Sequence, residues 1–166
     1  MHSRIFQVSD KPVPKDDYYT EDRYYAGFCN EIADYVSDVE EDNRSSDIDW
    51  LADFLKDAAV RDGDKFTIIN KAKYFETKFK RYKDLLEVCS KVSLDEFSGK
   101  KNINTESLGY HDEMPFGPLT NLLEESYNDK FGFYIDDGYC ITLDDYMRYI
   151  KDGDVVYIGA VIDYHY

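Results

Sequence analysis

Val155 to Ile162, VVYIGAVI, is apolar almost throughout. A short run of this kind reads as a β-strand buried on both faces. Tyr164 and Tyr166 then alternate with Asp163 and His165. A strand with no solvent side needs cover above and below it, so the rest of the chain has to supply a sheet and helices that pack on that sheet.

The remaining segments meet that demand. Ser3 to Ser9, with Ile5, Phe6 and Val8, reads as a first strand that Asp10-Lys-Pro-Val-Pro14 breaks. Thr20 is placed to cap a helix with Glu21 and Asp22 in its first turn. Tyr25, Phe28, Cys29, Ile32, Val36 and Val39 recur along one face of it. Glu40 to Ser46 has nothing apolar to bury and reads as a solvated turn. Ser46 or Asp47 then caps a second helix, with Ile48, Leu51, Leu55 and Ala58 or Ala59 inward and Trp50 and Phe54 widening that stripe. Its expected end is Arg61-Asp-Gly-Asp64, where Gly63 takes the left-handed conformation.

Lys65 to Asn70 reads as another strand, and Asn70 caps a long third helix with Phe75, Phe79, Tyr82, Leu86 and Cys89 on its core face. Glu76 with Lys80 and Glu87 with Lys91 stand at ion-pair spacing along it. Residues 98–117 lack any apolar period and form a long irregular loop. Pro118 opens a further helix with Leu119, Leu122, Leu123 and Tyr127 inward. Phe131 to Ile135 and Tyr139 to Thr142 flank Asp137-Gly138 as a hairpin. Thr142 and Asp145 have cap spacing for a short helix that Lys151-Asp-Gly-Asp154 stops. The expected architecture is α+β: a single domain over 1–166, with about five strands in a mainly antiparallel or mixed sheet packed with four to five helices.

Composition removes several functional classes. The 43% hydrophobic content is too high for wholesale disorder. No stretch reaches the roughly 18 apolar residues of a membrane span, and Met1 to Val8 lacks a secretory core, so a soluble, cytoplasmic protein is expected. Cys29, Cys89 and Cys140 are widely spaced and read as small buried hydrophobes, with neither a disulfide framework nor a thiolate zinc site. With 35 acidic and 20 basic residues the formal charge is −15, which repels nucleic acid and anionic lipid. The charge is segmented: residues 1–64 carry −10, residues 65–101 carry +5 and residues 102–166 carry −10.

Catalytic motifs are sparse. There is no GxSxG elbow, phosphate loop, HExxH or GxGxxG. The two Asp-Gly-Asp turns do not continue into a calcium loop. Tyr110-His-Asp-Glu113 is the densest titratable cluster, with His111 as an acid or base and Asp112 or Glu113 assisting it in an enzyme reading. Neighbours in an extended loop point to different sides, however, and an exposed polar turn accounts for the same residues. His2 and His165 sit in strands that can be neighbours, but two rim histidines lack a third ligand, so neither metal nor cofactor is expected.

The acidic stripes are more informative. Asp49, Asp53 and Asp57 recur every four residues on the second helix, and Asp34 with Asp38 repeats the spacing on the first. Such carboxylates stand roughly 6 Å apart and repel one another, at a small cost to the helix. Their spacing is comparable with that of phosphates along a nucleic-acid strand, and the 16 tyrosines offer stiff, amphipathic anchors. In charge and aromatic content alone, the composition resembles that of DNA-mimic proteins that inhibit restriction or CRISPR enzymes. The expectation is a non-enzymatic interaction protein that binds a basic partner, such as a nucleic-acid-binding enzyme, through Asp34, Asp38, Asp49, Asp53 and Asp57. An immunity or antitoxin-like protein for a basic toxin is the alternative with the same surface.

Overall fold

A computed structural model describes residues 2–24, 33–102, 131–135 and 139–165. It divides into two compact units, residues 1–74 with 126–166, and residues 75–125. The architecture is α+β.

The first unit holds seven strands: β1 (His2–Ser9), β2 (Tyr35–Asp38), β3 (Ala59–Asp62), β4 (Lys65–Ile68), β5 (Phe131–Ile135), β6 (Tyr139–Thr142) and β7 (Val155–His165). Helix α1 (Glu41–Leu55) belongs to it. Helix α2 (Lys71–Lys91) starts in it and continues into the second unit, which also contains α3 (Leu94–Phe97); α4 (Leu143–Tyr149) lies in the first. The sheet order is β3-β4-β7-β1-β5-β6. β7 pairs with β1 along one edge, while its other edge is shared by β4 near Val155 and β2 near His165. β1 and β5 run parallel; the other pairs are antiparallel.

β7 is the doubly buried strand its composition demands, and Val156, Ile158, Ala160, Val161, Ile162 and Tyr164 are all buried. On one face Ile5, Ile162 and Tyr164 pack with Val36, Tyr24 and Ala33. On the other Phe6 meets Phe133 edge-to-face at 6.0 Å, and Phe133 meets Tyr146 of α4 at 4.8 Å. Large side chains of this kind contribute roughly 1.5–3 kcal/mol each by leaving water. Between Phe6 and Val8 the register shifts, so that Gly159 and Ala160 together oppose Gln7. Buried Gln7 holds this bulge: its Oε1 accepts from Tyr19 N (3.1 Å) and Ala160 N (2.9 Å), and its Nε2 donates to Asp17 O (3.0 Å).

Three segments differ from expectation. Val36 lies not on a helix face but in β2, where four residues complete the open edge of β7. Gaining that hydrogen-bonded edge outweighs the helical period of the apolar residues. Glu40 to Ser46 is not a solvated turn; Glu41 and Asp42 occupy the first turn of α1, where the dipole favours acids, and Arg44 is buried. Ala58 to Asp64 does not extend that helix. Ala59–Asp62 pairs with Lys65–Ile68 as a hairpin whose two loop residues are Gly63 and Asp64. Gly63 is left-handed (φ 62°), as expected, but it opens a two-residue turn and caps no helix.

Other local expectations hold. Thr142 Oγ1 accepts from Asp145 N at 3.1 Å and starts α4. Asn70 Oδ1 accepts from Lys73 N at 3.3 Å at the start of α2. The Asp152 carboxylate also accepts from Lys71 N (2.7 Å), and the Lys71 ammonium returns a hydrogen bond to Ile150 O (2.9 Å) at the end of α4. Each helix end thus meets the charge its dipole favours.

In the second unit Glu87 and Lys91 form the expected i,i+4 pair at 2.6 Å. The buried positions are Leu85 and Val88, while Phe79 and Leu86 are exposed, so the inward stripe lies about one residue earlier than the apolar period suggests. Ser93 and Glu96 form a reciprocal capping box at the start of α3. The stripe at Tyr25, Phe28, Cys29 and Ile32, most of the 98–117 loop, the helix after Pro118 and the hairpin tip at Asp137-Gly138 lie outside the described residues.

Candidate functional site

The five aspartates expected to share helical stripes part company. Asp34 precedes β2, and its carboxylate accepts from His165 Nδ1 at 2.8 Å. That hydrogen bond holds the Asp34 pKa below the ordinary carboxylate range. Asp38 ends β2 and is clasped to the 3₁₀ turn at Glu21–Arg23: its Oδ1 accepts from Glu21 N (2.7 Å), while Asp38 N donates to Glu21 Oε2 (3.1 Å). Neither residue is helical, which corrects the first stripe. Asp57 lies past the end of α1, in the turn toward β3, so only Asp49 and Asp53 of the second stripe share a helix. Asp49 forms an ion pair with Arg61 of β3. Asp53 and Asp57 are exposed and make no ion pair among the described residues. His111, Asp112 and Glu113 lie outside those residues.

The face of α1 that the protein buries explains what the opposite face displays. Arg44, Asp47, Ile48, Leu51 and Leu55 point inward. Arg44 donates to Gly159 O (2.8 Å), Ile158 O (3.0 Å) and both oxygens of Asp64, and its guanidinium stands 5.0 Å from the Tyr18 ring. Asp47 accepts from Arg4 Nε at 2.7 Å, and Arg4 also pairs with Asp163. Two charged residues therefore occupy inward positions, which rotates the helix and leaves Trp50 and Phe54 partly in solvent, at 37% and 46% exposure. The apolar period puts both on the inward stripe; it cannot register an arginine that is buried because its guanidinium finds acceptors on β7 and Asp64.

The outer face of α1 thus carries two aromatic rings one turn apart beside Asp49 and Asp53, with exposed Asp42 nearer the start and Asp57 beyond the end. Phe54 is braced edge-to-face by Tyr74 at 6.2 Å, and the Tyr74 hydroxyl donates to Asp144. Chemically, this face can stack planar cations on its rings and receive their charge on its carboxylates.

A separate polar cavity of about 480 Å³ lies against β1, with Gln7 among its walls alongside Val13, Asp16, Asp17, Tyr19 and Arg23. The Arg23 guanidinium covers the Tyr19 ring at 3.8 Å. At the far end of the sheet His2 stands directly opposite His165, with ring centroids 5.1 Å apart. Among the described residues no three His, Cys, Asp or Glu side chains converge on one metal position, and none of the helices is long and apolar enough to cross a membrane. No family model, curated protein or solved structure matches the chain.

Proposed function

We propose that this protein is a non-enzymatic interaction module that captures a basic protein partner on the outer face of α1. The observation that carries the reading is the partial exposure of Trp50 and Phe54 beside Asp49 and Asp53 on a chain of charge −15. Long-range attraction speeds encounter with a positive surface. Partner arginines then stack on the two rings and pair with the carboxylates, and the aromatic pair sets their register. Net repulsion keeps nucleic acid itself away. The carboxylates are too few and too interrupted on α1 to reproduce a phosphate row unaided, so the reading favours a Lys/Arg-rich protein surface, of which the cleft of a nucleic-acid-binding enzyme is one example.

Trp50 is the single tryptophan of the chain, so its fluorescence reports directly on this face. Titration with an arginine-rich peptide is expected to change Trp50 emission saturably, with the effect suppressed by salt. Asp49→Asn/Asp53→Asn/Asp57→Asn should weaken the peptide several-fold at low salt and leave the circular dichroism spectrum unchanged, each exposed charge pair being worth about 0.2–1 kcal/mol. Emission that does not respond, or a triple variant that binds as well as the parent, overturns the reading.

A further inference from the structure

We propose that His2 and His165 form a surface site for a late first-row divalent ion of the zinc class, bound through the two Nε2 atoms. The two residues are register partners in the β1–β7 ladder, so their side chains leave the same face of the sheet. Their rings are inclined at 63° with centroids 5.1 Å apart. With a Zn–N bond of about 2.0–2.1 Å, an ion sits roughly 3.2 Å from each ring centre, and two imidazoles sharing one tetrahedral ion place their centroids about 5 Å apart. The observed separation matches that spacing, which edge-to-face ring contacts also adopt, so the ring nitrogens supply the remaining support.

The second support is the state of the other ring nitrogen. His2 Nδ1 lies 2.9 Å from Asp163 Oδ2, and His165 Nδ1 lies 2.8 Å from Asp34 Oδ1. An ionised carboxylate only accepts, so each Nδ1 carries the proton and each Nε2 keeps its lone pair in the neutral imidazole. This carboxylate–histidine arrangement fixes the tautomer and orientation of ligating histidines. The Asp163 carboxylate and the Asp34 backbone are themselves anchored. Asp163 is paired with Arg4, which also bonds Asp47, and the backbone N–H of Asp34 donates to His165 O at 3.0 Å. The imidazoles are open to solvent, with 61% and 39% of their side chains exposed, and water completes the coordination. Imidazole nitrogen favours zinc, copper and nickel over magnesium or calcium. A bound ion would tie β1 to β7 and stabilise the sheet by mass action.

The test is a zinc titration of the untagged full chain, read by the imidazole nitrogen resonances. The chain has only three histidines, so His111 serves as the internal reference. The Nε2 resonances of His2 and His165 are expected to move together and saturate at one equivalent. His2→Gln and His165→Gln should each weaken binding at least about ten-fold, and Asp163→Asn, which touches no metal, by roughly 10–100-fold. His2 is exposed at the start of its strand, so the amide spectrum of His2→Gln reports an intact fold. No shift of either resonance at millimolar zinc, movement of His111 in their place, or undiminished binding by either glutamine variant overturns the site.

Discussion

Arg44 and Asp64 meet through two guanidinium nitrogens, 3.2 and 3.0 Å from the two carboxylate oxygens, and the same guanidinium reaches the carbonyls of Ile158 and Gly159. One side chain thereby joins α1, the β3–β4 turn and the middle of β7. Arg44→Leu keeps the bulk and removes every donor. Asp64 remains open to water, so the loss falls on the two carbonyl oxygens, at about 1–3 kcal/mol for each acceptor left unsatisfied. A destabilisation of about 2–4 kcal/mol in urea unfolding is expected. An unchanged midpoint would mean that the guanidinium anchors nothing.

Gly159 and Gln7 are coupled by space. A Cβ at position 159 would lie 2.6 Å from Gln7 Oε1 and 2.8 Å from Gln7 Cδ. Gly159→Ala should therefore cost about 1–3 kcal/mol through forced displacement of the buried carboxamide. Gln7→Ala alone is also destabilising, because it removes the acceptor for Tyr19 N and Ala160 N. The double variant is expected to lose less than the sum of the two, since with the carboxamide gone the new methyl no longer displaces it. Strict additivity in a double-mutant cycle would contradict the contact.

Tyr146 sets an alkaline limit. Burial, with lesser contributions from the Asp154 and Asp10 carboxylates, pushes its pKa from 10.0 up to about 12. The native state thus holds the proton more tightly than the unfolded chain. The associated stability is intact below about pH 10 and is lost as pH rises toward about 12. Phenolate absorbance should show a late-ionising component, and Tyr146→Phe should reduce it by one tyrosine. Ionisation of Tyr146 together with the exposed tyrosines would refute the burial argument.

Asp34 works in the opposite direction. Its pKa is lowered by the hydrogen bond from His165, so its contribution is present above the ordinary aspartate range and disappears as pH falls through the native value. The carboxylate carbon resonance of Asp34 should titrate below the ordinary aspartate range. His165→Gln should bring it back toward that range; a titration that does not move would separate the two groups.

These relationships differ in how visible they are without coordinates. The β7 strand, the 131–142 hairpin, the Thr142 cap and the left-handed Gly63 are set by neighbouring residues, and local patterns identify them. The β2 strand is not local: Tyr35 to Asp38 acquires its identity from β7, whose Asp163 opposes Ser37. The phase of α1 depends on Arg44 and Asp47, charged residues buried by partners on other elements, and so Trp50 and Phe54 turn outward against the apolar pattern. Of the acidic surface, exposure at Asp53 and Asp57 follows from charge alone. The partners of Asp34, Asp38 and Asp49 follow only from the sheet.

The order in which β1 meets its neighbours bears on how the protein is made. Among the described strands β1 pairs with β5, which begins at Phe131, and with β7, which begins at Val155. At about 5–20 residues per second, a ribosome needs on the order of ten seconds or more between delivering the first strand and delivering either neighbour. Throughout that interval Ile5, Phe6 and Val8 emerge as a greasy, unpaired ribbon. The sheet cannot close around β1 until β7 has left the ribosome, so the first strand waits unpaired through most of the synthesis of the segment between them.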